Sequence, residues 1–185
     1  MDPHLLRTFV AVAECGSFSA AAARLGYTQS AVSQHIAALE HDLGTCAGFQ
    51  HAMLEFARTV CGAAGVQHGE NNPKADDLLI VPLACSLVDH EAPIQVTPGT
   101  RAAELLGVER TVERYHCSYG LDSGRMDLLR EHGMVFSGYD DAGDPRIAEL
   151  PDHPFYLATL FQPELAGDGT RPHALIQAFA RAASQ

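Results

Sequence analysis

The chain has 185 residues, 46% of them hydrophobic, and a formal net charge of −11. That is enough apolar material to bury the core of one ordinary domain or two small ones, and it excludes wholesale disorder. The acidic balance favours solubility and opposes nucleic-acid phosphates at the level of the whole chain.

Taken in order, Leu5, Phe9, Val12 and Ala13 recur at helical spacing, and Gly16 closes that helix. Ser17 or Ser19 can cap a second helix through SAAAARL, which Gly26 ends. Thr28 or Ser30 opens a third, with Val32, Ile36, Leu39 and Leu43 on one face. Two short helices across a Gly-containing turn describe a helix-turn-helix, the later helix being the DNA reader.

The residues carry more than the pattern. Phe9, Gly16 to Ser19, Ala21-Ala22, Leu25, Thr28 to Ser30, Val32-Ser33, Ile36, Leu39-Glu40 and Leu43-Gly44 are similar, in order and spacing, to the N-terminus of LysR-type transcription regulators. The resemblance covers residues 1–44. It implies a winged helix-turn-helix that binds DNA as a dimer through residues 28–36, with Gln29, Ser30, Ser33, Gln34 and His35 facing the major groove. Gln can bond adenine bidentately, and Ser can reach phosphate or base. The wing and long dimerisation helix of that family are replaced here by TCAGFQ. Arg7 and Arg24 stand against Asp2, Glu14, Glu40 and Asp42, which leaves few cations for phosphate contacts. The alternative reading of this segment is a three-helix unit that packs but binds DNA weakly.

GTCAGFQ then has the form G-x-C-x-G, the small-residue turn that presents a nucleophile at a helix N-terminus, where thiolate is favoured. AGFQHAMLEFARTVCGAAG reads as the following helix, with Phe49, Met53, Phe56 and Val60 on one face. GENNPKADD is a polar loop and DDLLIVPL a strand. PIQVTPGTRAAELLG reads as strand, turn and short helix, and TVERYHCSYGL as one strand. MVFSGYDDAGDPRIAELP is a hairpin, HPFYLATLFQPEL a buried strand, AGDGTRP a loop and HALIQAFARAA a terminal helix.

GTCAGFQHA, VPLACSLV, the Pro98 to Arg101 turn, Glu113-Arg114, HPF and LFQPEL together resemble the C-terminal half of the class I glutamine amidotransferase domain of CTP synthase and its stand-alone relatives, over residues 44–183. The resemblance implies a cysteine that attacks the glutamine carboxamide, with ammonia passing to a synthase domain. It makes Cys46 the nucleophile and Glu164 the orienting carboxylate. Gln50 and Glu70 would hold the substrate glutamine.

Three departures stand beside it. The triad His position is Gln162, which cannot take a thiol proton or return one to leaving ammonia. Position 118 is Ser where the family supplies an Arg for the substrate carboxylate. The front of the family domain, with its oxyanion loop, has no counterpart before Cys46, and losing one such donor costs about 100- to 1,000-fold in related chemistry. His51, His116 and His153 are the imidazoles that could stand in, His116 the better placed; the favoured reading of each is an ordinary surface or core residue. AVSQHIAALEHDL before the turn has helical periodicity, so Cys46 is expected in a helix-to-helix connection and not at a strand tip.

The expected fold class is α/β: a truncated amidotransferase-like sheet with flanking helices over 45–185, preceded by an all-α helix-turn-helix unit over 1–44. Five cysteines without a CxxC pair fit a reducing, cytoplasmic setting. The N-terminus has no signal-peptide pattern and no apolar run reaches a membrane span, so no membrane contact is expected. The histidines lack HxxxH or HExxH spacing, and no metal or cofactor is expected. Three functions compete: an impaired glutamine amidotransferase carrying a DNA-binding segment, a DNA-binding regulator with a ligand- or partner-sensing C-terminal part, and a chimera without function. Partners follow accordingly: glutamine, DNA, and a synthase domain or a second copy of the chain.

Overall fold

The computed structural model describes residues 3–15, 17–35, 44–84, 86–166 and 172–182. Helix α1 (Pro3–Cys15) begins with proline, whose missing N–H would have had no partner in the first turn. In α2 (Phe18–Leu25) the Ser17 hydroxyl accepts the Ala20 N–H at 3.4 Å, and Gly26 ends the helix in the left-handed region at φ 71°. The helical residues 29–35, α3, are capped by Thr28, which accepts the Ala31 N–H at 3.1 Å. Ala11, Val12, Ala21, Ala22 and Val32 form a small core of their own. Ile176 packs against it, and α1 lies on the turn Pro163–Leu165, so this unit docks on the rest of the chain.

The remainder holds α4 (Ala47–Thr59), β1 (Gln67–His68), β2 (Leu78–Pro82), β3 (His90–Val96), α5 (Arg101–Leu106), β4 (Arg110–Tyr115), β5 (Tyr119–Leu121), α6 (Met126–Arg130), β6 (Val135–Tyr139), β7 (Pro145–Glu149), β8 (Leu157–Thr159) and α7 (Ala174–Ala182). Two sheets form, in the orders β1-β2-β5 and β4-β3-β6-β7-β8. Phe49 and Met53 from α4 fill the main core with Leu79, Ile80, Ile94, Leu129, Ile147 and Phe161. Helices flanking sheets are what the α/β expectation requires, and the 134–151 hairpin appears as β6 and β7. TVERYHCSYGL does not form one strand. It divides at 116–118, β4 joining the larger sheet and β5 the smaller. HPFYLATLFQPEL is likewise shorter as a strand than expected, being extended only over Leu157–Thr159.

Two devices tie helices and strands together. The buried Glu149 carboxylate accepts the Arg101 and Ala102 N–H groups at 3.0 and 3.1 Å, satisfying the first turn of α5 from a neighbouring strand. Gly138 sits where β6 shifts register, and a Cβ there would fall 2.6 Å from the Ile147 side chain.

His68 is buried and its Nε2 meets Gln50 Oε1 at 2.8 Å. Burial lowers its pKa from the ordinary 6.5, nearby His51 lowers it further, and Glu70 opposes both. The unfolded chain therefore takes up this proton at a higher pH than the folded one. The stability tied to neutral His68 is complete above the ordinary histidine value and is lost as pH falls through it. Thermal melting followed from pH 7.5 to 5.5 should show a smaller drop in Tm for His68→Gln than for the unaltered chain.

Candidate active site

Cys46 caps α4 with φ 47° and ψ −111°. Among the described residues only Cys46 and Asp89 (φ 54°) are non-glycine residues at positive φ. Such backbone costs about 1–3 kcal/mol and persists where its surroundings enforce it. The enforcement is visible. Cys46 N–H donates to the Thr159 carbonyl at 2.9 Å, Thr159 N–H donates to the Gly44 carbonyl at 2.8 Å, and Thr45 makes a parallel bridge with Thr159. The chain thus enters the turn along the edge of the larger sheet and leaves it as a helix. At residues 44–46 the turn is oriented by one bridge to β8 and leads into α4; the expected helix-to-helix connection rests on residues before Gly44. The helix expected over 36–43 lies outside the described residues.

Gly44 makes the approach feasible. Its φ is 71°, and an added Cβ would lie 3.3 Å from Ala158 Cβ. Gly44→Val should destabilise the fold by about 1–3 kcal/mol through backbone strain and crowding, measured as a lower urea midpoint.

Cys46 borders a cavity of about 750 Å³ lined also by Gln162, Glu164, Asp89, Arg114 and His116. Gln162 and Glu164 are 4% and 2% exposed. Gln162 is fixed through its N–H to the Arg114 carbonyl at 2.9 Å. The structure therefore gathers Cys46, Gln162 and Glu164, the three positions the resemblance assigned to the triad. Gln50 and Glu70 are placed otherwise. The Gln50 side chain is bonded at both ends inside the fold, its Nε2 donating to the Tyr119 carbonyl at 2.9 Å and its Oε1 meeting His68. Glu70 is an exposed turn residue whose N–H donates to His68 Nδ1 at 3.1 Å. Neither is among the residues lining this cavity.

Among the stand-in imidazoles, His116 lines the cavity and its Nδ1 is 3.1 Å from Asp89 Oδ1. His51 packs beside the His68 ring and His153 sits in the turn before β8. The residues expected to face DNA are placed as follows. Gln29 and Ser33 line the same cavity as Cys46. Ser30 is exposed with its hydroxyl 3.0 Å from that of Thr28, and Gln34 is exposed. His35 turns inward, its Nδ1 2.9 Å from Thr8 Oγ1 and its ring edge-on to Tyr27. Four of the five are exposed, Gln29 and Ser33 among the residues lining the cavity, and His35 alone is partly buried.

Sequence reasoning missed Cys117. Its sulfur lies 2.6 Å from that of Cys46, and its S–H reaches the Leu160 carbonyl at 3.2 Å. It also missed Asp89. No spacing rule relates either residue to Cys46; the alternation of β4, which exposes Arg114 and buries Tyr115, carries on past its end to expose His116 and bury Cys117.

Residues 3–46 match the family model of the bacterial regulatory helix-turn-helix protein, lysR family. The CTP synthase of Archaeoglobus fulgidus is 39% identical over 151 residues, covering 76% of this chain and 28% of that protein. That of Nitratidesulfovibrio vulgaris strain Miyazaki F is 33% identical over 172 residues, covering 80% and 31%. The chain thus spans less than a third of these curated relatives. The glutaminase domain of Trypanosoma brucei CTP synthase, solved with bound acivicin, superposes with a TM-score of 0.70 at 21% identity over 76% of this chain and 58% of that one, a likeness of fold. The chain accordingly joins a LysR-type helix-turn-helix segment to a region that resembles the glutamine amidotransferase part of CTP synthase.

Proposed function

We propose that this protein is a slow, cysteine-dependent glutamine amidohydrolase. The observation that carries the reading is the strained elbow at Cys46, which opens on the cavity that also holds Gln162 and Glu164. Strain of this kind is kept where a nucleophile must be presented. The Cys46 sulfur attacks the carboxamide carbon, ammonia leaves, and water releases glutamate from the thioester. Gln162 moves no proton. His116, paired with Asp89 and lining the same cavity, is the imidazole offered for that task. Absence of the usual base lowers the rate by about 100- to 10,000-fold relative to a complete triad. Glutamine is the small-molecule partner, the released ammonia would serve a synthase domain or a second chain, and a reducing cytoplasm suits a reduced Cys46. No helix among the described residues is long and apolar enough to cross a membrane.

Purified full-length protein incubated with glutamine should release ammonia slowly, and Cys46→Ala should abolish the release. Ammonia release unchanged in Cys46→Ala would refute the reading.

The lysR-family match over residues 3–46 favours a second reading, a DNA-binding regulator. Its test is gel retardation at low salt. Sequence-selective retardation that disappears in Gln34→Ala supports it; with Arg7 and Arg24 as the cations before Cys46, we expect weak retardation that vanishes with modest added salt.

A further inference from the structure

We propose that Cys46 and Cys117 are a reversible redox pair, in which Cys46 takes up oxidation from a peroxide and Cys117 resolves it as an intramolecular disulfide. The two residues are 71 positions apart in sequence, yet their sulfurs are 2.6 Å apart and both side chains are buried. A disulfide bond is about 2.05 Å long, so the sulfurs have roughly 0.5 Å left to travel. Both ends are anchored. Cys46 is held by the elbow, and Cys117 by the Leu87 N–H to its carbonyl at 2.9 Å and by its own contact with the Leu160 carbonyl. The cavity gives a small oxidant a path to Cys46, while Cys117, at 3% exposure and absent from the lining, is sheltered behind it. One thiol on the cavity wall and a second behind it is the arrangement of an attacking and a resolving cysteine.

The chemistry balances. The Cys46 thiolate attacks one peroxide oxygen; the S–O bond forms, the O–O bond breaks, and hydroxide leaves to become water. Sulfur loses two electrons and becomes a sulfenic acid. The Cys117 sulfur then attacks the Cys46 sulfur; the S–S bond forms, the S–O bond breaks, and a second water carries away the thiol proton. Two thiols and one peroxide give one disulfide and two waters. The product takes the Cys46 sulfur out of any nucleophilic chemistry until a thiol reductant restores it. Cys61 is the contrasting thiol, half-buried, with burial pushing its pKa up.

The test uses the full chain treated with one equivalent of hydrogen peroxide, alkylated, digested without reductant and mapped by mass spectrometry. The expected product is a peptide linked through Cys46 and Cys117, two hydrogens lighter than the reduced pair and cleaved by dithiothreitol. In Cys117→Ser the link should be lost and Cys46 should carry stable sulfinic or sulfonic acid. Circular dichroism checks that this variant folds, and the map of the unaltered chain decides alone where it does not. Over-oxidation of Cys46 in the unaltered chain without a link, or oxidation confined to other cysteines, overturns the proposal. The readout needs no glutamine turnover, so it stands or falls apart from the amidohydrolase reading.

Discussion

Gln162→His is expected to raise ammonia release from glutamine by about 100-fold or more, the contribution of a positioned general base. Position 162 already has its backbone fixed by the Arg114 carbonyl, its side chain buried, and Glu164 two residues on in the same cavity wall. An imidazole there gains what the amide lacks, a nitrogen that accepts the thiol proton and returns it to the departing amine. The gain should appear in kcat more than in KM, because the residue acts on the transition state and leaves ground-state binding of glutamine alone. Gln162→Asn, which introduces no base, should bring no gain, and Gln162→His combined with Cys46→Ala should be inactive. A Gln162→His protein that folds, retains Cys46 reactivity and is no faster would mean that the geometry of the site, and not the base, limits the rate.

The largest expected loss of stability is at Arg146, and Arg146→Met should cost about 3 kcal/mol. The Arg146 guanidinium is almost wholly buried on β7, 2.6 Å from Asp140 and 3.5 Å from Asp144. Removing it leaves the Asp140 carboxylate at a largely buried site without its cation. Asp140 keeps some compensation, because the N–H groups of Ala142 and Asp144 still donate to it at 3.0 and 2.9 Å, which places the cost at the low end for a broken buried pair. Urea denaturation should show a lower midpoint with an unchanged slope. Arg146→Met combined with Asp140→Asn should recover part of the loss, since the orphaned charge is then gone. A single variant as stable as the unaltered chain would show that the pair is dispensable.

Much of this architecture could be read from local chemistry. Gly26 ends its helix where the pattern put it, and of the paired cap candidates Ser17 or Ser19 and Thr28 or Ser30 the first of each makes the cap bond, a choice decided by a few adjacent residues. What local patterns could not give is decided at a distance. The periodicity before Gly44 says helix, yet one bridge between Thr45 and Thr159 turns Cys46 out at the edge of a sheet. TVERYHCSYGL has the composition of one strand, but Leu83 and Leu87 bond the carbonyls of Ser118 and Cys117 and pull its second half into the other sheet. Within the site, a resemblance grouped Cys46, Gln162 and Glu164, and all three line one cavity; the roles it gives them belong to the proposal. Gln50 was assigned to substrate by the same route, whereas its burial against His68 and Tyr119 uses the amide within the fold. Cys117 and Asp89 carried no signature that sequence could rank above any other cysteine or aspartate.

Covalent labelling tests the assembled site most directly. A glutamine-shaped electrophile, an α-chloroketone analogue of the amino acid, should modify the full-length protein once, at Cys46, and excess glutamine should slow that reaction. Labelling spread over several cysteines, or a Cys46 rate indifferent to glutamine, would contradict a cavity built to bring this carboxamide to this sulfur.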